Sequence, residues 1–375
     1  MLQLKNSTGL AATMFLSPDP DGVDTVYAVV KGTFALDQPL DATGEPPLAA
    51  EQIPVTVSPE HWGDPAASSL KAASDISLLK PATDVLLVGH AHAPNGRPTT
   101  WMDVGLAVGP IRKAVRVFGD RVWLHDAVWT PSGPAPFTKM PLVWERAFGG
   151  AEEVEGVRHE EPRNPVGAGL RAPNGPGPTV GMPLPNLEDP SDPVTSWKAG
   201  HTPACFAPVC AHWMPRRQWA GTYDEQWQAQ RAPYLPTDFD PRFFQLAPAD
   251  QIAPGHLQGG EPVEVHGVSP WGPVRFVLPR VQVGVTFVVD GAEQPGPAAL
   301  DTVLIDADTA RLTLVWRASL RCDKRLLQVS EVTVEARRVA PGCSRRLYNR
   351  SGRPGEELPE DILSAPCAPI GGNAA

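Results

Sequence analysis

The sequence predicts a mainly β fold: two packed antiparallel sheets, or paired sandwiches or barrels, with a long ordered coil region rich in proline, glycine and aromatic residues and few short helices. Three observations lead there. Apolar and polar residues alternate in several stretches near both ends of the chain, the period of a strand lying on a sheet. The 375 residues include 34 glycines and 44 prolines, and proline is excluded from helix interiors and central strands, so irregular connections must be many. Hydrophobic residues make up 42% and charged residues 20%, the balance of a chain with a packed core.

The first clear element is TVYAVVKGTFAL, residues 25–36. Val26, Ala28, Val30, Phe34 and Leu36 fall on one face and Thr25, Tyr27, Lys31 and Thr33 on the other, which predicts a half-buried strand. The run DPAASSLKAASDISLLKP, ending at Pro81, has the alanine, leucine and serine content of a short helix. DVLLVGHAHA then reads as a more buried strand. In KAVRVFGDRVWL, Gly119-Asp120 has the form of a two-residue hairpin turn. That register pairs Val117 with Val122 and Val115 with Leu124. On a wetter face it pairs Phe118 with Arg121 and Arg116 with Trp123.

From about 131 to 260 the periodicity dissolves, yet the segment carries Trp144, Phe148, Trp197, Phe206, Trp213, Trp219, Trp227 and further aromatics. That is too much apolar surface for a solvated linker, so ordered coil packed over the sheets is expected. One short helix is predicted there, in DEQWQAQR behind an Asp224 cap. The phenylalanines of FDPRFF, residues 239–244, are expected to fill core beneath this coil. Strands resume with EPVEVHGV, VRFVLPRVQVGVTFVVDG, DTVLIDADTARLTLVWRASL and LLQVSEVTVEARRV. Residues 1–340 thus read as one β-rich module with 131–260 as its irregular insert. Residues 341–375, where Arg345, Arg346, Arg350 and Arg353 precede an acidic run, read as a mobile tail.

Composition also narrows the partners. A net charge of −10 has the wrong sign for tracking a phosphate backbone, which argues against nucleic acid. Five scattered cysteines suit reduced thiols better than a disulfide scaffold. Neither a signal peptide nor a membrane-spanning apolar run stands out, and the cytoplasm is the expected location.

Chemical motifs are weak throughout. Gly167-Ala168-Gly169-Leu170-Arg171-Ala172 has the glycine spacing of a dinucleotide loop, but Pro165 and Pro173 bracket it, and coil is the better reading. His90 and His92 stand two apart on a strand, so both imidazoles face one side as in some metal sites, with no third ligand indicated. Cys205, Cys210 and His212 resemble half a zinc site whose second arm is missing. Asp75, Asp84, Glu145, Asp224, Asp238 and Asp240 supply carboxylates for acid/base work only if folding brings two of them together. No cofactor is implied. A hydrolase or carbohydrate-modifying enzyme built on those carboxylates or on His90/His92 remains the alternative to a binding protein. A small-ligand or lipid carrier would need an apolar cavity.

The punctuated runs VVKGTFAL, SDISLLKPATDVLLVGHAHAP, VFGDRVW, MPLVWERAFGG, RNPVGAG, LPNLEDP, WMPRRQWAGTYDEQW and LPTDFDPRFFQLAPADQ resemble, in order, the bacterial family catalogued as domain of unknown function 2169. The matches run from about residue 5 to 335. The resemblance implies a non-catalytic adaptor or chaperone of type VI secretion. Such a protein binds a toxic effector, in some cases one bearing a spike-tip PAAR domain, and helps load it onto the valine-glycine-repeat spike protein. It brings no catalytic residues or cofactor. The binding surface is then expected on the motif-bearing loops: Trp144, Glu145, Arg146 and Phe148, followed by Tyr223, Asp224, Trp227, Asp238, Arg242 and Phe243.

Overall fold

The structure, a computed structural model, describes residues 2–322 and 326–340. Three strands open the chain: β1 (Gln3–Asn6), β2 (Ala11–Pro18) and β3 (Asp24–Ala35). A long coil follows, holding only the short hairpin β4 (Glu60–His61) and β5 (Leu70–Ala72). Next come β6 (Asp84–Val88), β7 (His90–His92), β8 (Trp101–Val108) and β9 (Ile111–Phe118).

Fragments then replace regular strands. They are β10 (Trp123–His125), β11 (Trp129–Pro131), β12 (Lys139–Pro141), β13 (Phe148–Gly149), β14 (Ala151–Val154), β15 (Val157–Glu160), β16 (Ala168–Gly169) and β17 (Leu187–Glu188). The one α-helix among the described residues, α1 (Glu225–Gln230), starts where the sequence predicts, with the Asp224 carboxylate accepting the Trp227 amide at 2.8 Å. Regular strands return as β18 (Pro262–His266), β19 (Val274–Val277), β20 (Val281–Val289) and β21 (Ala292–Pro297). The last are β22 (Ala299–Asp306), β23 (Arg311–Arg321) and β24 (Val329–Arg338).

The fold is mainly β, as predicted, and rests on three principal sheets, none closed into a barrel. The first has the order β2-β3-β23-β22-β6, with β6 running parallel to β22. The second, β17-β9-β8-β18-β19, is antiparallel throughout. The third, β1-β24-β20-β21, pairs β1 parallel to β24. One apolar cluster runs through all three, joining Val30 and Leu314 of the first, Val104 and Val115 of the second, and Val285 and Val334 of the third. No described helix is long and apolar enough to cross a membrane.

Three local expectations fail. Residues 64–81 form turns and β5 instead of a helix. Ser74 and Asp75 there bond instead to the backbone of the preceding coil, Ser74 Oγ to the Val57 carbonyl at 2.7 Å and Asp75 accepting from the Thr56 amide at 2.8 Å, tertiary contacts that hold the segment extended.

Gly119-Asp120 closes no hairpin. β9 pairs instead with β8 and, on its other edge, with β17, so Val117 faces Met102 and Leu187. The Ala135 carbonyl occupies the space a Cβ on Gly119 would need. The Arg121 guanidinium does stack on Phe118 at 3.9 Å, with Arg121 buried and Phe118 half-buried, and Arg116 stacks on Trp101 instead of Trp123.

The third failure is β3, which is buried on both faces. Its apolar face enters the core as expected. Its polar face is covered by residues 46–80, a strap that crosses the first sheet. The expected tail 341–375 lies outside the described residues.

Candidate functional site

The cover over the first sheet is held by charge. Lys31, on β3, reaches Asp75 of the strap at 2.8 Å and the Thr56 hydroxyl at 3.0 Å. Lys80 pairs with Asp84 at 2.8 Å and donates to the Thr302 hydroxyl. Arg317 pairs with Asp301 and donates to the Asp75 carbonyl at 2.6 Å. Each cation in this layer has its own aspartate, the condition under which buried charges are tolerated. Gln52 continues the ladder beyond the end of β2: its amide exchanges two hydrogen bonds with the backbone of Thr33.

A strap tied down by polar contacts leaves apolar gaps. Two clefts flank the β4–β5 hairpin. One, of about 770 Å³, lies between strap and sheet and is lined in part by Trp62, Lys71, Leu86, Leu304 and Val315. The other, of about 610 Å³, lies between the hairpin and the 209–246 coil, lined in part by Leu70, Ile76, Arg216, Phe243 and Phe244. Four large apolar side chains of the strap are exposed: Val57 at 70%, Trp62 at 56%, Leu79 at 45% and Ile53 at 40%. Glu145 fixes the hairpin from below, accepting from the Ser69 amide at 2.7 Å and the Ser69 hydroxyl at 2.8 Å.

The residues expected to bind a partner separate into four groups. Trp144 and Phe148 are buried, so they offer a partner no surface. The Trp144 indole donates to the carbonyls of Ala207 and Pro208, and Phe148 packs on the His201 ring at 5.2 Å. Both belong to a knot tied by Asn164, whose amide donates to the carbonyls of Trp144 and Phe148 at 2.9 Å each. Gly149 and Gly167 pass so close to Asn164 that no Cβ would fit. The glycine-rich run is therefore packing, in line with the coil reading.

Glu145 holds the hairpin, while Arg146 is exposed and contacts Asp120 and Asn186. Tyr223, Asp224, Trp227, Asp238 and Arg242 form a surface lobe. Asp238 accepts from Thr222, and Arg242 pairs with Asp240 and lies over Trp219. Phe243 stands apart, in the wall of the smaller cleft. With Phe239 and Phe244 it forms a cluster of rings 5.4–5.7 Å apart that is only partly buried, not core as expected.

The chemical candidates are mostly engaged elsewhere. His90 and His92 do face one side and meet Asp308, His90 Nδ1 at 2.6 Å and His92 Nε2 at 4.0 Å, with Lys139 at 3.7 Å. Burial, and then the Lys139 charge, hold His92 below the ordinary imidazole value. Burial pushes the Cys205 and Cys210 thiols up to about 11, away from the thiolate a metal needs. Among the described residues, no group of three or more His, Cys, Asp or Glu is placed to hold a metal ion. Asp75, Glu145 and His90 line the larger cleft. Asp84 is sealed by Lys80, Gln245 and the amides of Leu246 and Ala247.

The strap escaped the sequence reading. Its one local signal was Trp62, a lone indole in a proline-punctuated coil.

A family model described as an uncharacterized protein conserved in bacteria (DUF2169) matches residues 21–317. No curated protein matches the chain, and no solved structure does.

Proposed function

Since the chain belongs to the DUF2169 family of bacterial proteins, we propose that it is a non-catalytic adaptor acting in the cytoplasm. It binds a type VI secretion effector, in some cases one carrying a PAAR domain, and helps load it onto the valine-glycine-repeat spike. The observation that supports this reading is the strap. An anchored segment holds Ile53, Val57 and Trp62 in solvent beside two apolar clefts. Exposed apolar side chains on a fixed scaffold are what a polypeptide-binding surface offers.

The test is co-purification of the tagged chain from its own bacterium, identified by mass spectrometry. A stoichiometric effector is expected with the wild type. Trp62→Ala combined with Val57→Asp is expected to lower its recovery at least tenfold at unchanged thermal midpoint. Unchanged recovery in that variant would move the interface off the strap, and a wild-type chain that comes down alone would sink the adaptor reading.

One observation favours the hydrolase alternative: His90, held by Asp308, shares the larger cleft with Asp75 and Glu145. Against it, Asp75 is neutralised by Lys31 and Glu145 is occupied by Ser69. Turnover of a glycoside or ester panel that His90→Gln abolishes would revive it.

A further inference from the structure

The smaller cleft differs from its neighbour in charge. Its titratable lining residues are His61, Cys210, His212 and Arg216, with no aspartate or glutamate among the lining residues. Arg216 is 7% exposed. Its Nε donates to the Phe243 carbonyl at 2.9 Å and its Nη1 to the Val209 carbonyl at 2.7 Å, while the guanidinium stands 5.3 Å from the Phe243 ring. These contacts fix the fork but do not neutralise it. Among the described residues no carboxylate reaches Arg216 within the 4.0 Å of an ion pair.

Asp84 acts on Arg216 only from a distance and is itself held by Lys80, Gln245 and two amides. Lys31, Lys80 and Arg317, the buried cations of the neighbouring layer, each have an aspartate. A buried cation lacking one is expensive to keep unless something else supplies the charge.

The ligand's character follows from the lining. Burial lowers Arg216 to about 10, so it stays cationic at neutral pH. Burial, with His61 and Arg217, holds His212 below the ordinary imidazole value, leaving Arg216 as the fixed charge. With Nε and Nη1 already donating to carbonyls, the remaining N–H groups of this single cation between apolar walls suit one carboxylate, met by charge-assisted hydrogen bonds.

We propose that this cleft recognises a carboxylate carried on an apolar polypeptide segment, the acid pairing with Arg216 and its flanking side chains lying against Leu70, Ile76, Phe243 and Phe244. That the occupant is a polypeptide rests on the adaptor reading.

The test uses the full chain and a library of capped heptapeptides. The central residue is aspartate or asparagine, and the other positions are drawn from leucine, isoleucine, valine, phenylalanine and serine. Recovery of aspartate peptides at least tenfold above their asparagine counterparts is expected. His212→Glu, an exposed change at the cleft that leaves the Arg216 hydrogen bonds intact, is expected to weaken them at least tenfold at unchanged thermal midpoint. Arg216→Gln is expected to abolish the aspartate preference, and if that variant does not fold, His61→Glu takes its place.

Equal recovery of the two sets, no recovery of either, or wild-type affinity in His212→Glu would overturn the proposal. If the peptides fail while an effector still co-purifies, the cleft is misassigned and the adaptor stands. If aspartate peptides bind and no effector co-purifies, the adaptor reading fails and the carboxylate site stands.

Discussion

Lys31 and Asp75 meet at 2.8 Å where the strap crosses the first sheet, 44 residues apart in sequence, their side chains 7% and 14% exposed. Removing one member leaves the other largely buried without its counter-charge, which costs more than the intact pair contributes. Lys31→Met is expected to lower stability by about 3 kcal/mol. Lys31→Met with Asp75→Leu is expected to lose less than Lys31→Met alone. Urea unfolding of the four members of that cycle measures both, and an additive double variant would mean that the pair does not hold the strap.

Trp144 and Tyr223 both sit in runs that resemble the family's motifs but should behave oppositely. Trp144→Ala empties a buried site and orphans two carbonyls, at a cost of about 3–5 kcal/mol. Tyr223, 54% exposed against Trp227, should cost less than about 1 kcal/mol as alanine. Thermal or chemical unfolding separates them. Loss of partner binding in Tyr223→Ala at full stability would add the surface lobe to the interface.

Cys205 and Cys210 are expected to resist alkylation in the folded protein. With their thiols pushed up to about 11 by burial, roughly a thousandth is thiolate at pH 8. Mass spectrometry after iodoacetamide should find both unmodified until denaturant is added. Rapid native labelling would show that the knot around Trp144 opens.

Asp192 carries a readable pH signature. Hydrogen bonds from His201 and from the Thr202 amide hold its carboxyl below the ordinary value. A depressed carboxylate stabilises the fold above its unfolded pKa, and the contribution disappears as pH falls through the folded value. Asp192→Asn should therefore be less stable than wild type at pH 7. The difference should shrink on acidification below about pH 4. Parallel thermal melts from pH 7 to 3 check this, and a gap that stays constant would remove the assignment.

What the sequence disclosed followed from local periodicity. Strands β18, β20, β23 and β24 were legible because apolar and polar residues alternate along their sequences, and α1 because Asp224 is its cap; β21, whose AEQPGP carries no such alternation, was not read. On β3 the alternation assigned the faces correctly but not the cover over Lys31 and Thr33. That cover comes from Asp75 and Gln52, single polar contacts that leave no period. The Gly119-Asp120 turn was a sound local signal overruled by the competition of β8 and β17 for the edges of β9. Arg216 shows the limit for a site. Nothing in the sequence separates it from Arg217 beside it, and only the fold buries one and exposes the other.

The pairing of β3 with β23 also sets a timetable for synthesis. Strand β3, second in the first sheet, is complete by residue 35, yet its inner partner β23 begins at Arg311, and β1 must wait for β24. At roughly 5–20 residues per second, the ribosome needs on the order of tens of seconds to deliver the missing edge. Throughout that interval the nascent chain holds Val26, Val30 and Phe34 with their own sheet incomplete. The first and third sheets therefore cannot close until β23 and β24 have been made, whereas the second is complete by Val277, and an unfinished chain is the form of this protein most in need of a chaperone of its own.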